Sequence, residues 1–495
     1  KTLKNFNKFK DFKKNNVLLI IPNDHYYLCY NYIIFKERLS KFNVYGYWPY
    51  FMHLNNKNKY SIVEKFHEFK SYIYFKLLKK KFSKLYRPLS LKKFYDFDSI
   101  CKKYSSKKDL VETNKKSNKI FKNLKKKEDV LNLKINNIYC GDLIYDTYIR
   151  FRNHPTVDIK DLYLKKIIFK SILLILSVKK LQSEMKFKYL YTSYATYIFY
   201  GIMVRTLLEE GVEVYSGATI AQYNKKLTRK DFLHVENYKK FLTIFKKLDY
   251  KSKRIEESKK FVNKIFYGNR KNLQIMDYMN VNPFKKNQIK LIKKYEGIIF
   301  LPNFFESQRE WGKLVFSDFY DWIIFTCNLI EKNNLNIAIK PHPNIFHVNT
   351  ESVKIVNELK LRFNKIDWID PSISNLDLFK KIKFGISPWG TILWELAYFN
   401  VHPISAGEHP ACKYKIGFEP RTVKQYKNIL LSAHKLKKKR DISKKILEYC
   451  YMYYIYNHDY YKTLAREIKL NEMKFTKSQT LLEYIKKIKS YEKKL

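Results

Sequence analysis

The chain has 495 residues, 98 of them Lys or Arg and 46 Asp or Glu, which gives a formal net charge of +52. A hydrophobic fraction of 45% is enough for sizeable cores, and the low counts of glycine (12) and proline (13) argue against disorder and repeat-rich β architectures. The length favours two or three domains.

The positive charge has two explanations. Lys, Asn, Ile, Tyr and Phe are all frequent and all have AT-rich codons, and the lysines are spread along nearly the whole chain, which indicates a genomic bias. The other explanation is a polyanionic partner such as nucleic acid, an anionic membrane surface or phosphorylated substrates. We favour the first as the origin of the composition, although a chain with this charge attracts anions in either case.

The cysteines and apolar runs indicate a cytoplasmic protein. None of the six cysteines belongs to a CxxC pair, so neither a structural zinc site nor a disulfide framework is predicted. The longest apolar run, SILLILSV at 171–178, is too short to cross a bilayer, and the N-terminus has no signal-peptide pattern. Contact with an anionic membrane surface through basic residues stays open.

The first half of the chain is predicted to be α/β. The predicted strands are 16–22, 189–192 and 212–215, and the predicted helices are 162–185 and 193–211. A strand, a helix and a strand in this order are typical of a βαβ unit in a parallel sheet.

The second half repeats this pattern after a highly charged segment. The predicted strands are 297–301, 337–340, 366–369, 384–387 and 402–405, and the predicted helices are 318–333, 351–363 and 392–399. We therefore predict an N-terminal Rossmann-like domain at 1–235, a charged helical linker at 236–290, and a second α/β domain with C-terminal helices at 291–495.

The segment IAIKPHPN places His342 between two prolines at the end of a predicted strand. Pro341 and Pro343 each fix φ near about −65° and push the preceding residue towards extended backbone. In open α/β sheets, ligands bind outside the carboxyl ends of the strands. Lys340 and His342 are therefore candidates for holding a phosphate or diphosphate. The alternative is a proline-stiffened turn with an incidental histidine.

The segment SPWGTILWE at 387–395 is a second candidate. Ser387 ends a predicted strand, Gly390 lies in a tight turn, and a helix begins near Thr391 with Glu395 one turn later on the same face. The free N–H groups of a helix start suit a phosphate, so Ser387 and Thr391 are predicted phosphate ligands and Glu395 a ribose ligand. The alternative is an ordinary helix cap with a solvated glutamate.

The segment GDLIYDTYIR at 141–150 contains two carboxylates on neighbouring helical positions. Asp142 or Asp146 is a candidate general base for a hydroxyl acceptor, with Tyr145 and Arg150 beside them. The alternative is a surface ion pair between Asp146 and Arg150, which stabilises little.

Two loops are predicted to contact a sugar or nucleotide sugar. Ser193 and Tyr197 follow the strand at 189–192, and Glu306 lies in the polar loop after the strand at 297–301. Helix capping and core packing explain the first pair at least as well.

Several motifs are missing from the sequence. It contains no GxGxxG, Walker A, HExxH or GxSxG pattern and no cluster with metal-ligand spacing. We therefore predict no bound metal and no resident cofactor.

Three segments together resemble a known family. IKPHPN at 339–344, DPSISNLD at 370–377 and GISPWGTILWELAYFNVHPISAGEHP at 385–410 resemble the C-terminal half of bacterial capsule and surface polysaccharide glycosyltransferases. That group includes the capsular Kdo transferases and is distantly similar to polysialyltransferases and CDP-glycerol glycerophosphotransferases. The stretches at 141–150, 192–215 and 300–330 are similar to the family's N-terminal domain and crossover, so the resemblance covers about residues 138–410.

The resemblance implies a GT-B fold, in which two Rossmann-like domains face each other across a cleft. It implies that the C-terminal domain binds the nucleotide sugar through His342 and through Ser387, Thr391 and Glu395, and that the N-terminal domain binds the acceptor. It also implies catalysis without a metal, because helix N-termini and basic side chains neutralise the leaving phosphate. The family's usual SGT segment is replaced here by SPWGT.

The leading hypothesis is a glycosyltransferase that builds a capsular or surface polysaccharide at the inner face of the plasma membrane. Its partners would be a CMP-, UDP- or GDP-linked sugar and an oligosaccharide or lipid-linked glycan, with Asp142 or Asp146 as the base and His342 and Lys340 on the departing phosphate. One alternative is a CDP-polyol phosphotransferase of the teichoic-acid type. The other, a charge-driven nucleic-acid-binding protein, lacks a recognisable RNA or DNA module, so no specific nucleic acid is expected.

Overall fold

The computed structural model describes residues 15–20, 42–49, 91–216, 225–235, 238–268, 282–285, 293–345, 350–437 and 441–456. The chain forms two compact units: unit 1 comprises Lys1–Glu236 with Tyr460–Leu495, and unit 2 comprises Asn237–Asp459. Each unit contains a largely parallel sheet with helices between its strands, so each is Rossmann-like in architecture.

The main sheet of unit 1 has the order β3-β2-β1-β6-β7-β8. The strands of the unit are β1 Asn16–Ile20, β2 Asn43–Trp48, β3 Lys93–Asp96, β4 Lys134–Ile135, β5 Ile138–Tyr139, β6 Phe187–Thr192, β7 Glu213–Ser216 and β8 Lys225–Leu227. Only the β7–β8 pair of this sheet is antiparallel, and β4 and β5 form a separate hairpin. β1 lies in the middle as the apolar sequence NVLLI requires, and the strand order reverses between β1 and β6.

The helices of unit 1 pack around one long central helix. They are α1 Phe97–Tyr104, α2 Lys107–Asn123, α3 Lys127–Leu131, α4 Gly141–Arg152, α5 Leu162–Met185 and α6 Tyr197–Glu209. α5 contacts α1, α2, α4 and α6, which explains why apolar residues occupy several of its faces. It begins at Asp161, whose carboxylate accepts the Tyr163 N–H at 2.9 Å, and ends at Lys186 in a left-handed conformation.

The sheet of unit 2 is parallel throughout, with the order β10-β9-β11-β12. Its strands are β9 Gly297–Phe300, β10 Ile337–Lys340, β11 Phe384–Ser387 and β12 His402–Ser405. Every residue of β9, β10 and β11 is buried, as expected of parallel strands covered on both faces. Here the strand order reverses between β9 and β11.

Helices precede, separate and follow the strands of this sheet along the chain. They are α7 Phe241–Lys246, α8 Lys251–Tyr267, α9 Phe319–Lys332, α10 Thr350–Arg362, α11 Asn375–Phe379, α12 Ile392–Tyr398, α13 Val423–Ser432 and α14 Ser443–Cys450, and a π-helix at Tyr451–Tyr456 follows α14. The region 236–290, predicted as a linker, contributes α7 and α8, and α8 packs on α14 and the π-helix.

The predicted elements and the observed ones agree closely in both units. The predicted helix 162–185 and the strands 337–340, 384–387 and 402–405 have the observed boundaries. The predicted strand 366–369 is wrong in extent, because this segment joins the sheet only through a bridge from Trp368 to Ile339. The predicted helices beyond 456 lie outside the described residues. Within the described ranges, no helix has the length and hydropathy needed to span a bilayer.

Candidate functional site

The carboxyl end of the unit 2 sheet places four strand-terminal residues in one row. Lys340 of β10 lies opposite Phe300 of β9, and Ser387 of β11 lies opposite Ser405 of β12. The Ser387 hydroxyl donates to the Phe300 carbonyl at 3.1 Å and so links the two pairs. This edge includes the β9–β11 switch point, where open α/β sheets bind their ligands. We therefore treat it as the candidate site.

His342 lies in the turn after β10. The backbone N–H of Asn344 donates to its Nδ1 at 3.2 Å, so in the neutral ring the proton is on Nε2. The Ile345 N–H donates to the His342 carbonyl at 3.0 Å and closes the turn. Burial, and secondarily the charge of Lys340, lower the pKa of His342 to about 4. The half-buried ring is therefore a neutral hydrogen-bond donor near pH 7.

Lys340 lies behind this turn and is only 1% exposed. Its Nζ donates to the Ile373 carbonyl at 2.7 Å and to the Asn375 side-chain oxygen. Burial lowers the pKa of Lys340 to about 7, and the carboxylates of Glu395 and Asp370 oppose that shift. Two of its three N–H donors thus hold the start of α11 against the end of β10. Only the third N–H is left to donate to a phosphate ligand.

Glu395 and Thr391 differ in environment although they are one turn apart. Glu395 is 4% exposed, so the alternative of a solvated glutamate is wrong. Its carboxylate acts on the charge of Lys340. Thr391 is exposed, and its side chain makes no capping hydrogen bond to α12. Only Thr391 of this pair is open to solvent.

The turn between β11 and α12 depends on Ser387 and Gly390. Besides Phe300, the Ser387 hydroxyl contacts the Trp389 carbonyl at 3.0 Å, and Ser387 is 2% exposed. Gly390 has φ +122°, a conformation that other residues rarely adopt, and a Cβ placed there would meet nothing closer than Ile392 Cγ2 at 4.0 Å. Ser387 therefore shapes the turn from inside, and the backbone at Gly390 is open to approach.

The loop after β9 contains Glu306, which is partly exposed, and Gln308, which is buried. The Gln308 side chain accepts the Phe319 N–H at 2.9 Å and donates to the Phe304 carbonyl at 2.9 Å. Gln308 therefore fixes the loop to the start of α9. Glu306, which is predicted to contact a nucleotide sugar, has access to solvent, whereas Gln308 does not.

The predicted residues of unit 1 form a different arrangement. Asp142 is 6% exposed, and its two oxygens accept from the two terminal nitrogens of Arg205 at 2.6 Å each. The guanidinium also donates to the Tyr139 carbonyl and lies 4.0 Å from the centre of the Phe232 ring. This geometry is that of a buried structural ion pair that joins α4 to α6.

The remaining unit 1 candidates range from core to surface. Tyr145 and Asp146 are buried, at 0% and 2% exposed. Asp146 is therefore not a surface residue, as the alternative of a surface ion pair with Arg150 requires. Arg150 is exposed, Ser193 is 5% exposed, and Tyr197 is half-buried with φ +57°. Both candidate bases, Asp142 and Asp146, are therefore buried within unit 1.

The structure thus places Lys340 within electrostatic reach of both His342 and Glu395 in unit 2, with Ser387 and Gly390 on the same edge of the sheet. The sequence reasoning missed Ile373 and Asn375, the acceptors of Lys340. The segment DPSISNLD, which contains both residues, was the available signal, because it is one of the three segments that resemble the glycosyltransferase family. Ordinary spacing rules do not show that its carbonyl and amide face a lysine 33 and 35 residues earlier.

Comparisons with known proteins add little. No protein-family model and no curated protein matches the chain. Among solved structures, a UDP-GlcNAc 2-epimerase from Neisseria meningitidis bound to UDP-GlcNAc is 8% identical with a TM-score of 0.23, covering 92% of this chain and 100% of that one. A glycosyltransferase from Rickettsia africae ESF-5 is 11% identical with a TM-score of 0.26, covering 94% and 100%. A ugt transferase from Siraitia grosvenorii in complex with UDP is 8% identical with a TM-score of 0.21, covering 96% and 99%. TM-scores of this size do not establish a shared fold, so the Rossmann-like assignment depends on the strand orders.

Proposed function

We propose that this protein is a glycosyltransferase of the GT-B type, which transfers a sugar from a nucleotide-sugar donor to a growing surface polysaccharide. The observation that carries this function is the neutral, half-buried His342 next to the coupled pair Lys340 and Glu395, at the carboxyl end of a parallel sheet. The resemblance of residues 138–410 to capsule polysaccharide glycosyltransferases supplies the reaction class.

His342 is the proposed contact to the donor phosphates. Its Nε2–H donates to a phosphate oxygen, and the same bond strengthens as negative charge develops on the leaving nucleotide. The hydrogen bond from Asn344 fixes this tautomer before the donor arrives. The ring remains neutral down to about pH 4, so donor binding does not require its protonation.

The neighbouring groups position this contact. Lys340 holds the segment at Ile373 and Asn375, and its charge acts on His342, the proposed phosphate contact. The open backbone at Gly390 and the exposed Thr391 admit the donor at the start of α12. Glu395 is the proposed ribose contact, and the acceptor glycan and an anionic membrane surface are the proposed partners of the rest of the chain.

A thermal-shift screen with CMP, CDP, UDP and GDP tests this function. A nucleotide at about 100 times its Kd stabilises the protein by about 2.7 kcal/mol, which raises Tm. We expect one or more of the four to do so in the parent. His342→Ala and His342→Asn should both lose most of that shift, because neither has the Nε2–H donor, while Asn retains an acceptor for the Asn344 N–H.

The matched control is His154→Ala, which removes an exposed histidine of unit 1 and should leave the nucleotide shift unchanged. No shift with any nucleotide in the parent would count against a transferase. Turnover of a CDP-polyol without turnover of any nucleotide sugar would select the phosphotransferase. Salt-sensitive RNA binding without nucleotide binding would select the nucleic-acid alternative.

A further inference from the structure

The carboxyl end of the unit 1 sheet has its own switch point, between β1 and β6. The loop from β6 to α6 begins there, and Thr192 at the end of β6 fixes it. The Thr192 hydroxyl accepts the Tyr194 N–H at 3.1 Å and donates to the Tyr194 carbonyl. Tyr194 and the residues after it are therefore held in place at the position where this sheet order predicts a ligand.

Two buried polar atoms near this loop have no hydrogen-bond partner among the residues that the structure describes. They are Oγ1 of Thr196, which is 4% exposed, and Nδ1 of His234, which is 2% exposed. Thr196 is the residue before α6, yet its hydroxyl does not cap the helix. An unsatisfied buried hydroxyl or imidazole nitrogen is costly, so a ligand that supplies a partner to either atom would offset part of that cost.

Aromatic rings lie beside His234 and in the chain on both sides of Thr196. The centres of the His234 and Tyr194 rings are 4.2 Å apart, and Tyr194 and Tyr197 stack at 6.2 Å. Tyr197 has φ +57°, unusual for a residue with a side chain and common where a loop serves a ligand. Burial, with Lys225 as a second cause, lowers the pKa of His234 to about 3. The ring is neutral and able to donate or accept a hydrogen bond.

We propose that Tyr194, Thr196 and His234 form a binding site for a sugar ring, the acceptor end of the glycan that the protein extends. Aromatic faces with a few neutral polar groups suit an uncharged ring bearing hydroxyls. The identity of the sugar as acceptor rests on the proposed function, whereas the site itself depends only on unit 1.

The sharpest test is Thr196→Val, which keeps the side-chain shape and removes the hydroxyl. Binding of the purified parent to a printed array of mono-, di- and oligosaccharides is the readout. Because the hydroxyl has no partner among the described residues, Thr196→Val should leave Tm unchanged or raise it, yet lower the array signal at least five-fold. The matched control is Thr206→Val in α6, whose buried Oγ1 is likewise without a partner and which should keep full binding.

A second variant, His234→Phe, preserves the ring contact with Tyr194 and should also lose the array signal. A parent that binds no glycan on the array overturns the site, as does unchanged binding by Thr196→Val. Nucleotide shifts measured on the same samples separate the two ideas. Loss of glycan binding with normal nucleotide stabilisation supports a sugar site in unit 1, and glycan binding without any nucleotide effect supports this site while rejecting the transferase.

Discussion

Unit 1 and unit 2 each bury a cation, and the two cations are held in opposite ways. Both terminal nitrogens of Arg205 in unit 1 donate to the carboxylate of Asp142, at 2.6 Å each. Lys340 of unit 2 donates to a carbonyl and an amide oxygen, both neutral. Arg205 is thus compensated inside the fold, whereas the nearest hydrogen-bonding atoms leave the charge of Lys340 largely uncompensated.

This difference separates a structural role from a functional one. A bidentate arginine–carboxylate pair fixes geometry and keeps its charge at all ordinary pH values. A buried lysine with a pKa near 7 is typical of sites where charge is used, although structural networks also produce such values. Of the charged groups singled out from the sequence, Lys340 therefore points to function more strongly than Asp142.

The largest expected effect comes from breaking the unit 1 pair. Asp142→Asn leaves the buried guanidinium of Arg205 without its counter-charge, which costs about 3–5 kcal/mol of unfolding free energy. Urea unfolding followed by circular dichroism measures the loss. If Asp142 were the catalytic base instead, the variant would fold with nearly parental stability and lose only activity.

The double variant Asp142→Leu with Arg205→Met is the control for this effect. Removing both charges eliminates the uncompensated cation, so much of the stability should return. A double variant that is no more stable than Asp142→Asn would mean that the hydrogen bond of Arg205 to Tyr139 and its contact with Phe232 hold α6, and not the ion pair.

The second effect is a pH dependence in unit 2. The pKa of Lys340 falls from 10.5 to about 7 on folding, so between these values the unfolded chain binds the extra proton. The parent is therefore penalised below about pH 7 and gains stability as the pH rises towards 10.5. Relative to Lys340→Met, the unfolding free energy of the parent should rise by up to about 1.4 kcal/mol per pH unit in this window.

The measurement is urea unfolding of the parent and of Lys340→Met at pH 6, 7, 8, 9 and 10. Taking the difference between the two proteins cancels the titration of the other lysines. A difference that stays flat from pH 7 to 10 would show that Lys340 keeps an ordinary pKa and would remove the contrast with Arg205.

The sequence could predict the elements because their signals are local. Buried parallel strands such as Ile337–Lys340 appear as short apolar runs, and α5 has an apolar pattern preceded by the capping residue Asp161. The predicted strand at 366–369 was wrong in extent because a short segment such as IDWI does not show whether a neighbouring strand is available for pairing. Only the bridge between Trp368 and Ile339 forms there.

The position of the candidate residues in the fold was predictable, but their internal bonding was not. The prolines around His342 and the end of β10 placed the histidine at the carboxyl edge of the sheet. The partners of Lys340, the burial of Glu395 and the pairing of Asp142 with Arg205 depend on contacts over 33 or more residues. Such contacts follow from the packing of elements, and residue spacing along the chain does not encode them.

The smallest expected effects concern two hydroxyls, one in each unit, that link neighbouring segments of the chain. The Ser387 hydroxyl contacts the Phe300 and Trp389 carbonyls, and the Thr147 hydroxyl accepts the Ile198 N–H at 2.9 Å. Ser387→Ala and Thr147→Val should each cost about 1 kcal/mol, the net value of a buried hydrogen bond. Ser387→Ala should in addition weaken the nucleotide-induced shift, because it loosens the turn before Gly390, whereas Thr147→Val should leave that shift intact. Equal effects of the two variants on the nucleotide shift would show that the turn after β11 does not serve the nucleotide.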